Sequence, residues 1–225
     1  MSLGQKLTVL NTIYRHYDEF TGGLNIACKK NCTACCTPDV TMTTLEGYLI
    51  ADSLISNSRH DLFGHIQKGL SGSRFKPRTT TNKLAILCAK GDDPPQEPRH
   101  DDGKHCLLLM DGLCPIYPAR PFGCRCFISE KECSQTGYAE VDPFIITVNT
   151  VYLQVIEHID AAGFSGNFAD IMLLMAKKEN RDRYRKNTLK HLEGDFVSNI
   201  PIEVLMVPPE HRNNVKPILK ELFGK

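Results

Sequence analysis

The chain has 225 residues, 41% hydrophobic and 24% charged, which is the make-up of a globular protein able to bury a core without covalent staples. Its 27 Lys and Arg against 26 Asp and Glu leave a formal net charge of +1, with neither half strongly basic or acidic, so nucleic acid is not an expected partner. The apolar runs stop well short of the roughly 20 residues that a membrane-spanning helix needs, so no membrane partner is expected either.

The N-terminal stretch reads as an amphipathic helix. Leu7, Leu10, Tyr14 and Tyr17 form one stripe, widened by Val9, Ile13 and Phe20. Asn11, Arg15, His16 and Asp18 interrupt any apolar run, so the segment does not have the pattern of a secretory signal, and a cytoplasmic location is expected. Thr21-Gly22-Gly23 should end this helix, with glycine supplying a left-handed stop.

Next comes CKKNCTACC, residues 28 to 36, with four cysteines in nine positions. A loop follows, to about Asp39. Thr43-Thr44-Leu45-Glu46 then has capping-box spacing, with Thr43 as N-cap and Glu46 at N3. This predicts a helix to about Ser56. A cap is the expected role of Glu46, in preference to metal ligation. Short helices are expected from Asp61 to Leu70 and from Asn82 to Lys90. The latter carries Cys88 in the apolar run LAILC, where a lone cysteine reads as a small core residue. Residues 91–105, GDDPPQEPRHDDGKH, read as a loop. His100, Asp101, Asp102 and His105 are taken as solvated, with His105 the best metal candidate among them because it abuts Cys106.

HCLLLMDGLCPIY places two apolar runs around Asp111-Gly112, a hairpin signal. A two-residue turn would pair Met110 with Leu113 and put Cys106 and Cys114 on opposite faces. A three-residue loop with Gly112 left-handed would put both on one face, and a shared metal site requires that geometry or a bulge. Further on, Asp142-Pro143 is an N-cap followed by proline at N1. Ile145, Val148, Tyr152, Val155 and Ile159 then give a helical stripe that stops by Gly163. Another helix should start near Phe168 and run into the charged ENRDRYRKNTLKHLEG. The C-terminal segment reads as helical but interrupted by Pro217. The fold class expected is mainly α with a small β-hairpin (α+β) and an irregular Cys-rich metal-binding core. It would be a single domain over residues 1–225, with the Cys-rich module at 28–128 and a helical C-terminal part at 140–225.

Ten cysteines in a reducing compartment point to metal or redox chemistry rather than a disulfide framework. One cluster is Cys28, Cys32, Cys35 and Cys36. The other is Cys106, Cys114, Cys124 and Cys126, with Cys133 trailing. Thiolates suit zinc and iron–sulfur clusters, and two such groups far apart in sequence suggest one centre that joins two segments. Binding of this kind contributes on the order of 10 kcal/mol of apparent free energy in small zinc modules. Cys28-x3-Cys32-x2-Cys35 also has the spacing of radical S-adenosylmethionine enzymes. However, Ala34 stands where those loops carry an aromatic residue, and the chain lacks their strand–helix alternation. A thioredoxin-like site at Cys32 and Cys35 lacks a βαβ context.

CKKNCTACC followed by CLLLMDGLCPIYPARPFGCR resembles the CxxCxxCC (YkgJ-like) family of zinc- or iron-chelating proteins. The second signature, C-x-I-Y-x-x-R-P-x-x-C-R, is complete at Cys114, Ile116, Tyr117, Arg120, Pro121, Cys124 and Arg125. Cys106 matches the cysteine that opens the preceding strand, and Thr43 and Glu46 match a Thr-x-x-Glu after the first cluster. The first cluster departs by one residue, since Cys28-x3-Cys32 replaces Cys-x2-Cys, and Cys126 has no counterpart. The resemblance implies metal ligands among Cys28, Cys32, Cys35, Cys36, Cys106, Cys114 and Cys124, holding zinc or an iron–sulfur cluster in one centre or two. Adjacent Cys35 and Cys36 should point apart, so only one of them is expected to ligate a given metal. Arg120 and Arg125 would either offset thiolate charge or tie the loop to backbone carbonyls. Tyr117 is expected to pack. The role implied is metal binding. The alternatives are an iron–sulfur enzyme acting on proteins, such as a lysine methylase-like transferase, and an interaction module shaped by zinc.

Overall fold

The computed structural model describes residues 1–29, 31–70, 74–97 and 105–224. The fold is built on two strand–helix units of the same form. Strand β1 (Thr41–Thr43) runs directly into helix α2 (Thr44–Ser56). Thr43 and Glu46 cap α2 reciprocally, closing its first orphan N–H groups. Strand β2 (Phe164–Asn167) runs into a helix at Phe168–Ala176, whose N-cap Asn167 accepts from the N–H of Ala169. The two strands pair antiparallel, with Thr41 opposite Asn167, Met42 opposite Gly166 and Thr43 opposite Ser165. The two helices pack with Gly47 against Ile171, where a Cβ would collide with the isoleucine side chain. A two-residue strand at Val197–Ser198, β3, pairs with the far edge of β2.

The other long helices cover this unit. Helix α1 (Leu3–Gly22) starts with a Ser2–Gln5 capping box and buries Leu10, Ile13, Tyr14 and Tyr17. Further helices lie at Asp61–Gly69 (α3) and Thr81–Lys90 (α4), and short ones at Phe122–Arg125 (α5) and Cys133–Thr136 (α6). Helix α7 (Pro143–Ile159) is capped by Asp142, which accepts from the N–H of Phe144. Ile145, Val148, Val151, Tyr152, Val155 and Ile159 form its buried stripe. After the helix at Phe168–Ala176, α8, come α9 (Lys178–Arg185) and α10 (Arg212–Phe223). One hydrophobic cluster extends from Leu10 to Ile218. Within it, buried Asp160 accepts from Thr44, the N–H of Leu45, Tyr184 and Asn199, binding α2, α9 and the β3 region together. The architecture is therefore mainly α with a small antiparallel sheet. No helix among the described residues is long and apolar enough to cross a membrane.

Four local expectations are corrected. Helix α1 ends at Gly23 in a right-handed conformation, φ −89°, with its N–H bonded to the carbonyls of Phe20 and Thr21, so no left-handed glycine is used. Helix α10 continues past Pro217, which lies inside it and contributes no N–H to the helical hydrogen bonds. Cys88 is exposed near the end of α4, because that helix buries Asn82 and Ala85 and turns Cys88 outward. The hairpin is reduced to one bridge. Met110 and Leu113 exchange both hydrogen bonds, at 3.0 and 2.8 Å, across a two-residue turn with Asp111 at φ 50° and Gly112 at φ 73°.

Candidate metal centre

The two cysteine clusters meet. The N–H of Cys106 donates to the carbonyl of Cys36 at 2.8 Å, joining segments about seventy residues apart in sequence. The first cluster is a series of tight turns. The N–H of Cys32 bonds Lys29, that of Cys36 bonds Thr33, and that of Thr37 bonds Cys35 only two residues back. The last is a γ-turn centred on Cys36. Cys35 and Cys36 do not diverge as expected: their side chains are close enough to interact, which raises Cys35 and lowers Cys36 from their ordinary values. Beyond the cluster, Asn167 donates to the carbonyl of Pro38 at 2.8 Å, fixing the loop to the end of β2.

The second cluster is held from below by residues that the spacing of cysteines does not reveal. Phe122 opens α5 and is fully buried, stacked 5.6 Å from Tyr152 and edge-on to Tyr17 at 4.7 Å. Burial of such a ring contributes about 1.5–3 kcal/mol. The backbone N–H of Phe122 donates to Glu46 at 2.7 Å. Gly123 lies against β1, where a Cβ would stand 2.6 Å from the carbonyl oxygen of Thr41. Phe122, Gly123 and Glu46 together fix the position of Cys124. They are visible in the sequence only as an unremarked apolar residue, a glycine and a cap.

Six of the seven candidate thiols line one cavity of about 140 Å³: Cys32, Cys35, Cys36, Cys106, Cys114 and Cys124. Among Cys36, Cys106, Cys114 and Cys124, every pair is near enough for one thiolate to disfavour another. Burial raises Cys106, Cys114 and Cys124 above their ordinary values, with mutual repulsion adding to it at Cys106 and Cys124. Cys28 is the exception. It lies outside the cavity lining, where its sulfur accepts from the N–H of Ser129 at 3.2 Å, with Cys32, Cys35 and Cys133 as its electrostatic neighbours. Exposed His105 lines the cavity, while His100, Asp101 and Asp102 lie outside the described residues. Cys126 is turned toward the carbonyl of Gly123 at 3.6 Å and does not line the cavity.

Cys106 and Cys114 reach the same cavity although the turn between them has two residues. The alternation that would separate them does not operate here. The N–H of Leu109 bonds the carbonyl of Cys106 in a turn of its own, so residues 106–109 are not a strand.

The two arginines divide the roles proposed for them. Arg125 ties the loop. It donates to the carbonyls of Arg120 and Pro118 at 2.9 and 2.6 Å, pairs with Asp18 at 3.0 Å, and lies over the Tyr14 ring. Arg120 faces the sulfurs. Its guanidinium sits 4.2 Å from the centre of the Tyr117 ring and lowers the thiols of Cys35, Cys114 and Cys124 against the burial that raises them. Its Nε is buried without a hydrogen-bond partner among the described residues.

Among the described residues, no three His, Cys, Asp or Glu side chains are already gathered at ligating positions. The donor set nevertheless fits a soft metal: only thiols and one histidine represent the usual ligand types on the cavity wall, and a cation with an unused donor stands beside them. Side-chain rotation would have to close the set.

No family model matches the chain, and no curated protein or solved structure is significantly similar to it.

Proposed function

We propose that this is a metal-binding protein, with the cavity thiols holding zinc or an iron–sulfur cluster. Cys36, Cys106, Cys114 and Cys124 would be the ligands, and Cys32 and Cys35 stand at the edge of the set. The observation that carries this reading is the convergence of thiols from two remote segments on one cavity, next to the main-chain bond between Cys106 and Cys36. The resemblance of both motifs to the CxxCxxCC family supports the same reading. When bound, zinc or the cluster would supply Lewis acidity or electron transfer. The chain's own part is to present sulfurs, to exclude water with the leucines around them and to offset negative charge with Arg120. Free thiols of this number fit a reducing compartment such as the cytoplasm.

The test is metal analysis of anaerobically purified protein. Stoichiometric zinc in a colourless sample, or iron with acid-labile sulfide in a brown one, supports the proposal and chooses between its two forms. Protein that binds neither metal after reduction and reconstitution overturns it.

A further inference from the structure

A closed structural metal site is walled by its ligands. This cavity also has a broad hydrocarbon lining, with Leu70, Leu107, Leu109, Leu113, Phe127 and Phe168 beside the sulfurs and a minority of polar side chains. Leu113 and Phe127 are half exposed, 50% and 48%, which makes an apolar mouth open to solvent. The interior of about 140 Å³ is close to that of a leucine- and phenylalanine-lined cavity of about 150 Å³ known to remain dry and admit benzene.

We infer that the cavity seats a small uncharged apolar guest, either a benzene-sized molecule or the apolar end of a larger one, against the thiol wall. Charge selects neutrality. No Asp or Glu among the described residues lines the cavity, so a cationic guest would find no carboxylate and would meet Arg120. Arg74, the other arginine on the wall, is engaged by Asp170. An anionic guest would give up its hydration to a wall that is mostly apolar, with Arg120 as the cation not already paired to a carboxylate among the described residues. Neutral hydrocarbon displaces only poorly held water and meets leucine. The inference rests on the proposed function for its consequence alone: a centre with such a guest beside it is open to a substrate rather than a sealed structural knot.

The experiment titrates the purified, reduced full-length protein with benzene, benzoate and benzylamine by calorimetry, and follows xenon binding by ¹²⁹Xe chemical shift. Saturable benzene binding is expected, at least about tenfold tighter than for either charged analogue, with xenon competing. Leu113→Trp, at the half-exposed mouth, should weaken benzene by about tenfold or more while circular dichroism stays unchanged. Absence of saturation, equal affinity for a charged analogue, or an unaltered affinity in folded Leu113→Trp overturns the inference. Metal content of the same samples is measured separately. Metal without guest binding removes this inference alone, and guest binding without metal removes the metal proposal alone.

Discussion

Glu46 accepts the backbone N–H of Phe122 through Oε1 at 2.7 Å and the N–H of Thr43 through Oε2 at 2.8 Å. A single buried carboxylate thus starts two helices, its own and the short one that carries Cys124. Tyr14 adds a third donor, to Oε1, at 2.8 Å. Each oxygen is surrounded by donors, so an amide in its place would face an N–H or O–H with an N–H of its own. Glu46→Gln is expected to destabilise the protein by about 3 kcal/mol, read as a lower urea midpoint with unchanged slope.

The arginines should separate by readout. Arg125→Gln removes two carbonyl contacts and a partly buried ion pair, and should lower stability by about 2–4 kcal/mol. Arg120→Gln loses the contact with the Tyr117 ring but no hydrogen bond among the described residues, and should move the melting temperature little. Its effect belongs in metal affinity, weakened by about tenfold as partner charge around a centre is lost. Thermal denaturation and a competitive chelator titration on both variants check the pair of outcomes.

Cysteine substitutions sort in the same way. Cys106→Ser and Cys124→Ser should lower bound metal well below stoichiometry. Cys88→Ser, at an exposed position outside the cavity, should retain it in full, and so should Cys28→Ser, whose sulfur is engaged by Ser129. Full metal in Cys124→Ser would remove it from the ligand set.

Protons must leave the thiols before an ion can be held. Burial raises Cys106, Cys114 and Cys124, so at neutral pH each holds its proton, and apparent metal affinity should rise by about one decade per pH unit for each proton displaced. The metal-free protein behaves in the opposite sense. These thiols hold protons more tightly folded than unfolded, and so does Cys126 outside the cavity, pushed from 9.0 up to about 12 by burial. Their contribution to stability is complete below the ordinary thiol value and is lost as pH rises through the folded values, at about 1.4 kcal/mol per pH unit per thiol. Urea midpoints of metal-free protein at about pH 7.5 and about pH 10.5 should differ accordingly, and Cys126→Ala should reduce the difference.

Gly123→Ala tests whether α5 is placed by close contact. An added Cβ must displace the helix from the Thr41 carbonyl, at an expected cost of about 1–3 kcal/mol and with a loss of metal affinity. Gly112→Ala strains only the exposed turn, at φ 73°, and should leave affinity nearly unchanged.

The legible parts of this molecule are those determined by neighbours in sequence. The Thr43–Glu46 box and the Asp142-Pro143 start of α7 appear where local capping chemistry requires them. The sheet was not legible, because its strands are four residues or shorter and β1 pairs with β2 across more than a hundred positions. The expected hairpin dissolved into turns, since CLLLM bonds to itself at Cys106 and Leu109 before it can alternate. The approach of Cys35 to Cys36 comes at a γ-turn that has no residue signature. Phe122 reads as an ordinary spacer within its motif, and only the Tyr17 and Tyr152 rings reveal it as an anchor.

The Cys106–Cys36 main-chain bond has a consequence for the order of events. Both walls of the cavity are tied by the chain's own groups, one through peptide hydrogen bonds and the other through the packing of Phe122 on Tyr17 and Tyr152. A scaffold tied in this way is expected to persist when an ion leaves it. A chelator should strip the metal and leave the helices standing, unlike a zinc finger, which melts when its ion is taken away. Occupancy would then follow the free-metal level of the surroundings, a property suited to a sensor or a carrier as much as to a catalyst.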